Sequence, residues 1–205
     1  MTTKVQERRQ KLRVALIDAA ERNIAAHGLA KLTARTLAQE AGCALGAIYN
    51  VFPDLDALVV AVNSRTLSEL DRAIAQTVPQ PDAGLKAQDI MVGLALTYAQ
   101  FANQHRNLWL ALFDFALQSS QPVPDWHLDE HLRLIGRVVD GLKLIAPNAP
   151  DERLQLVARA LFSAVHGIVQ LAIQGRFLSV PPGELEEQIK LVVRSVTRGL
   201  KPELT

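Results

Sequence analysis

Residues 33–58 read T-A-R-T-L-A-Q-E-A-G-C-A-L-G-A-I-Y-N-V-F-P-D-L-D-A-L, and their punctuation decides the fold. Thr33 stands where its hydroxyl can accept a hydrogen bond from a free backbone N–H of a first helical turn, which predicts an N-cap. Leu37, Ala38 and Ala41 follow at helical spacing, and Gly42 offers the left-handed conformation that ends a helix. Ile48, Tyr49 and Phe52 give a second short helix one apolar edge. Pro53 stops it, and Asp54 caps a longer helix beginning at Leu55. Two short helices about a tight turn form the helix-turn-helix plan, in which the second helix enters the DNA major groove and the first lies across the backbone.

The flanking residues extend the pattern. Residues 20–28 read A-x-x-x-x-A-x-H-G, residues 32–42 L-T-x-x-x-L-A-x-x-A-G, and residues 46–58 G-x-I-Y-x-x-F-P-x-x-x-A-L. In this order and spacing they resemble the N-terminal domain of the TetR family of transcriptional regulators. The resemblance implies an all-α fold, with a three-helix DNA-binding domain over 1–53 and a helical effector-binding and dimerisation domain over 54–205. It also implies three partners: a palindromic double-stranded operator, a small effector and a second copy of the chain.

The reading helix departs from the usual family pattern. Where a polar residue and a lysine often precede the glycine, this chain has Ala44 and Leu45, and Ala47 follows Gly46. Asn50 and Val51 replace an Arg or Trp and a His after the tyrosine, and Leu55 replaces a phosphate-gripping lysine between Asp54 and Asp56. The expected DNA contacts are therefore Thr33, Arg35, Thr36, Ala44, Ala47, Tyr49 and Asn50, with backbone N–H groups at helix starts. Arg35 suits a guanine edge or is a solvated charge. Asn50 suits an adenine edge, while Ala44 and Ala47 can pack on thymine methyls. Tyr49 either donates its hydroxyl to a phosphate or buries its ring between helices.

Charge supports a divided chain. Residues 1–53 hold eight Lys/Arg (Lys4, Arg8, Arg9, Lys11, Arg13, Arg22, Lys31, Arg35) against Glu7, Asp18, Glu21 and Glu40, a net of +4. With +1 overall, the remainder carries −3. A basic first quarter suits phosphates, although a solvated helix terminus looks the same. The single cysteine, Cys43, permits no internal disulfide and is either a small packing residue in the turn or a redox switch. The charged N-terminus lacks the apolar run of a signal peptide, so a cytoplasmic protein is expected.

Beyond a loose arm over 1–7, helices are predicted over 8–27, 54–78, 86–104, 107–119, 126–145, 152–176 and after Gly183, with breaks at P-Q-P-D-A-G (79–84), S-S-Q-P-V-P-D (119–125) and Pro181, Pro182 and Gly183. Residues 101–115 hold four of the eight Trp and Phe side chains. Such a stripe is either core or pocket. The resemblance implies a pocket among the middle helices, for which Tyr98, Phe101, His105, Trp109, Phe113 and His166 are the candidates, with a hydrophobic or aromatic effector. For His166 the reading as a buried, satisfied histidine outweighs that of an effector ligand. The residue lies in A-V-H-G, which is similar to the W-H-G signature of one TetR C-terminal class, with Val165 in place of the Trp.

His127 and His131 are four apart on one helix face, as a metal site requires, but no third ligand accompanies them and no cofactor motif appears. Residues 152–176 are apolar nearly all round, which means deep burial or a membrane span, and Arg159 leaves too short a clean run for the latter. With the stripe of the last helix, it supplies the expected dimer interface: Leu161, Val165, Ile168, Ile189, Val192 and Val196. The reading is a regulator, acting as a repressor released by a small apolar effector. The alternative is a ligand-binding protein whose degenerate head no longer reads DNA specifically. An enzyme is disfavoured, for no nucleophile triad or phosphate loop is present.

Overall fold

A computed structural model describes residues 2–77, 86–118, 124–176 and 179–203. The predicted break at 79–84 and most of that at 119–125 lie outside them. Among the described residues every regular element is helical: α1 (Thr2–His27), α2 (Ala34–Glu40), α3 (Leu45–Tyr49), α4 (Leu55–Thr77), α5 (Ala87–Gln104), α6 (Arg106–Gln118), α7 (Asp125–Ile145), α8 (Asp151–Gln174) and α9 (Leu185–Glu203). The helix signals act as their chemistry requires. Thr33 Oγ1 accepts from Thr36 N at 3.2 Å, and Asp54 Oδ1 from Ala57 N at 2.7 Å. Gly28, Gly42 and Gly175 take positive φ at the ends of α1, α2 and α8. The residues expected to be a loose arm are instead the first two turns of α1.

The chain divides into two compact units, one of Met1–Ser68 and His105–His127, the other of Glu69–Gln104 and Leu128–Thr205. This division lies away from the expected boundary at 53/54. The first unit keeps the start of α4 and takes in α6. Its core joins Leu16 and Ile24 of α1, Leu37 of α2, Ile48 of α3, Leu58 and Val62 of α4, and Leu108 and Ala111 of α6. Polar ties reinforce that packing. Asn107 Nδ2 donates to the Ala25 carbonyl at 2.8 Å, and buried Asn63 Nδ2 to the Ala111 carbonyl at 3.3 Å. Arg65 donates to both Asp18 and Glu21 at 2.6 Å, joining α4 to α1, and the Asp18 hydrogen bond is the main reason its pKa is raised.

In the second unit α5 is the enclosed helix, with Ile90, Met91, Val92, Leu94, Ala95, Tyr98, Ala99, Phe101 and Ala102 all buried. It packs against α8 and α9. The all-round burial expected of residues 152–176 therefore belongs to α5. Although α8 is long and apolar enough to cross a membrane by length and composition, it buries one stripe: Leu154, Ala158, Leu161, Val165, Val169 and Ile173. Its opposite face is exposed at Leu156, Ala160, Ala164 and Leu171. Sequence shows that a helix is apolar on both sides; tertiary neighbours decide which side is covered.

Candidate nucleic-acid interface and ligand cavity

The reading head is α2, a turn at Gly42 and α3. The turn is closed by Cys43 N donating to the Ala38 carbonyl at 2.9 Å. Ile48 anchors α3 in the core at 0% exposure, and this turns Leu45 and Tyr49, one helical turn apart, outward at 51% each. Ala44 and Asn50 are exposed at either end of α3, and Ala47 is half-buried. Arg35 is exposed on α2. Thr33 and Thr36 share a hydroxyl–hydroxyl hydrogen bond at 2.8 Å, so their first role is capping α2. All seven residues expected to contact DNA lie in this head, and Leu45, a departure from the usual polar position, is exposed beside them. Along α1, Lys4, Arg8, Arg9 and Lys11 are exposed and suited to phosphate. Arg13 instead lies over the Phe52 ring, 4.9 Å from its centroid.

The second unit holds an apolar cavity of about 60 Å³. Four helices each offer side chains one turn apart: Leu70 and Ile74 of α4, Leu94 and Tyr98 of α5, Leu134 and Val138 of α7, Leu161 and Val165 of α8. Met91, Ala95, Phe162 and Val193 complete the wall. Asp71, beside Leu70, accepts from Arg137 Nε at 3.0 Å and from Nη2 at 2.9 Å, which ties α4 to α7.

The polar feature of the wall is the Tyr98 hydroxyl, 2.7 Å from His166 Nδ1. The imidazole stacks on Phe162 at 5.5 Å and 26°, and Phe162 meets Tyr98 edge-on at 5.6 Å. Burial lowers the pKa of His166 below the ordinary 6.5, opposed by a hydrogen bond with the Gln170 side chain. A neutral ring can accept at Nδ1 from the Tyr98 hydroxyl. Of the six expected pocket residues, the structure brings Tyr98 and His166 together. Phe101 is buried on α5 but does not line the cavity. His105, Trp109 and Phe113 belong to the first unit, where Trp109 is fully buried against Phe113 at 5.0 Å.

Two family models match. The one described as bacterial regulatory proteins, tetR family, covers residues 16–62, and the one described as tetracyclin repressor-like, C-terminal domain, covers residues 91–196. The chain belongs to the TetR family.

Among TetR relatives, the HTH-type transcriptional regulator BetI of Brucella suis biovar 1 (strain 1330) is 31% identical over 104 residues, 51% of this chain and 52% of that protein. The chain thus spans about half the length of the curated relatives it matches. A protein of unknown function from Rhodococcus sp. RHA1 has the same fold, with TM-score 0.70 and 24% identity over 92% of this chain and 94% of that one. So does a TetR variant from Acinetobacter baumannii AYE in complex with minocycline, with TM-score 0.65 and 18% identity over 93% and 96%.

In this TetR chain the six residues expected at a dimer interface differ in how far their own subunit covers them. Leu161, Val165 and Ile189 are buried within the subunit, and the first two line the cavity. Ile168, Val192 and Val196 are half-buried along the edges of the covered faces. The outward residues are Leu156 at 60% and Leu191 at 58% exposure, with Ala160, Ala164 and Leu171. His127 is buried and shares a 3.2 Å hydrogen bond with Ser64 Oγ, and its ring meets Trp126 edge-on. Leu134 and Val138 escaped the sequence reading because nothing aromatic or polar marks them; their i, i+4 spacing was the available signal.

Proposed function

We propose that this protein is a homodimeric transcriptional repressor that leaves a palindromic operator when a small, largely apolar molecule enters the cavity of its second unit. The observation that carries the reading is the joint presence, in one TetR-family chain, of a helix-turn-helix with an exposed second helix and an apolar cavity with one hydrogen-bonding group at its wall. A cavity of about 60 Å³ is smaller than the ~150 Å³ space that holds benzene in a protein core. An aromatic effector must therefore spread α4, α5, α7 and α8. Such a ligand binds the widened state better, and only that difference in affinity can shift the population away from the DNA-binding state. Minocycline in the Acinetobacter TetR variant gives a precedent for an aromatic ligand on this fold.

The partner subunit would lie on the outward faces of α8 and α9. Leu156, Ala160, Ala164 and Leu171 make a closely approachable apolar stripe, continued by Leu191. Ala164→Arg should yield monomers by sedimentation, since it sets a charge and a long side chain in that contact. A variant that still sediments as a dimer would place the interface on another face.

The deciding experiment is binding of the purified protein to DNA flanking its own gene, with random DNA as competitor, followed by selection from random duplexes if the flank fails. Preferential binding to a two-fold symmetric site, weakened in Arg35→Ala, is the expected result. Binding that falls steeply with salt and ignores sequence through both stages would favour a ligand-binding protein with a silent head.

A further inference from the structure

The outward edge of α3 is apolar where a reading helix is expected to be polar. One exposed leucine on a protein surface is ordinary. Here, however, Leu45 and Tyr49 stand one turn apart on the same edge, each 51% exposed, with exposed Ala44 beside them. No acidic residue lies within α3.

Gly46 supplies an independent observation. It lies within α3 without the positive φ that would demand glycine, and a Cβ added there would meet nothing within 4 Å. Glycine lowers helix stability relative to alanine. The isolated chain therefore gains neither backbone freedom nor packing from this missing side chain. Its use is to something that approaches from outside.

In the major groove, the apolar group displayed by base-pair edges is the C5 methyl of thymine. The exposed basic residues of α1 and Arg35 of α2, in the same compact unit, suit the phosphates that would flank such a contact. We propose that α3 selects thymine methyl groups through Leu45, with Ala44 and Ala47 at the margins, and that Gly46 is bare so that base edges can close on the helix backbone. This rests on the DNA-binding reading and specifies its substrate: half-sites in which thymines face α3.

The test uses the full-length protein and the duplex enriched by selection from random sequences. That duplex is remade with deoxyuridine in place of thymidine, which removes the methyl and keeps the base pair. Each methyl lost under Leu45 should weaken binding about fourfold, the worth of one buried methyl-sized group. In Leu45→Ala the ratio between thymine and uracil duplexes should fall toward one, because a double-mutant cycle isolates the direct contact. Gly46→Ala should raise the thermal midpoint by about 1–3 °C while weakening operator binding at least tenfold.

A site bound equally in its thymine and uracil forms overturns the methyl contact and leaves DNA binding intact. A uracil penalty that persists in Leu45→Ala also overturns it, since the methyl would then act through DNA shape. DNA affinity unchanged in both Leu45→Ala and Gly46→Ala assigns the patch to a protein partner instead. Selection that enriches nothing removes the DNA-binding reading and the methyl contact together.

Discussion

Two aromatic clusters among the described residues are of similar make-up and opposite use. In the first unit Trp109 and Phe113 of α6 pack ring against ring, with Trp109 wholly enclosed. In the second, Tyr98, Phe162 and His166 form a comparable group, but Tyr98 and Phe162 line a cavity, and His166 stands behind them in hydrogen bond to the tyrosine. A filled cluster transmits force because its parts cannot move singly. A hollow one has room to respond to a ligand. The difference lies in the neighbours: Leu108 and Ala111 carry α6 into a continuous core, whereas α4, α5, α7 and α8 leave a gap between pairs of side chains that are aliphatic apart from Tyr98.

The sharpest way to break this distinction is truncation on each side. Trp109→Ala should cost about 3–5 kcal/mol in chemical denaturation, as for a fully buried aromatic. Phe162→Ala should cost clearly less, since Phe162 is half-buried and already borders empty space. Equal losses would mean that both clusters are structural.

A smaller effect is expected at Gly141 of α7, where an added Cβ would collide with the Met91 thioether. Met91 lines the cavity, so Gly141→Ala should press its side chain inward. The stability change should stay within about 1–3 kcal/mol, the usual range for overpacking. Binding of phenol, used as a probe and followed by calorimetry, should weaken severalfold. Undiminished phenol binding would show that Met91 yields in another direction.

The least effect is a pH dependence. Burial holds the folded pKa of His166 below 6.5, so between that lowered value and 6.5 the unfolded chain binds more protons. Stability should be unaffected above this window and fall as pH drops through it. His166→Gln should flatten the slope. Protonation at Nδ1 would also end acceptance from Tyr98, so phenol binding to the native protein should change as pH falls through the lowered folded pKa, and not in the variant.

The head was legible because its residues act locally. Thr33, Gly42, Pro53 and Asp54 do their work within a few residues of their own position, and caps and turns obey rules that a sequence displays. Register against distant helices does not have that property. Phe101 and Trp109 lie in one aromatic-rich stretch, yet the chain leaves one unit for the other between Gln104 and His105, and so the stripe serves two cores. Likewise Leu161 and Leu156 are equally apolar, and nothing near either says which faces inward. Leu45 was legible as a departure but not as a surface; its exposure follows from Ile48 taking the inward position.

The two-sided apolarity of α8 also bears on how the protein is made. Its mean hydropathy reaches 1.7 over its most apolar stretch, of which 28% is buried by its own chain. A newly synthesised chain thus finishes folding with an adhesive surface still open to water, and until that surface is covered it competes with aggregation. Folding yield should then rise with the local concentration of sister chains before falling at high loads, and the thermal midpoint should climb with protein concentration. For such a protein, abundance is itself a determinant of stability.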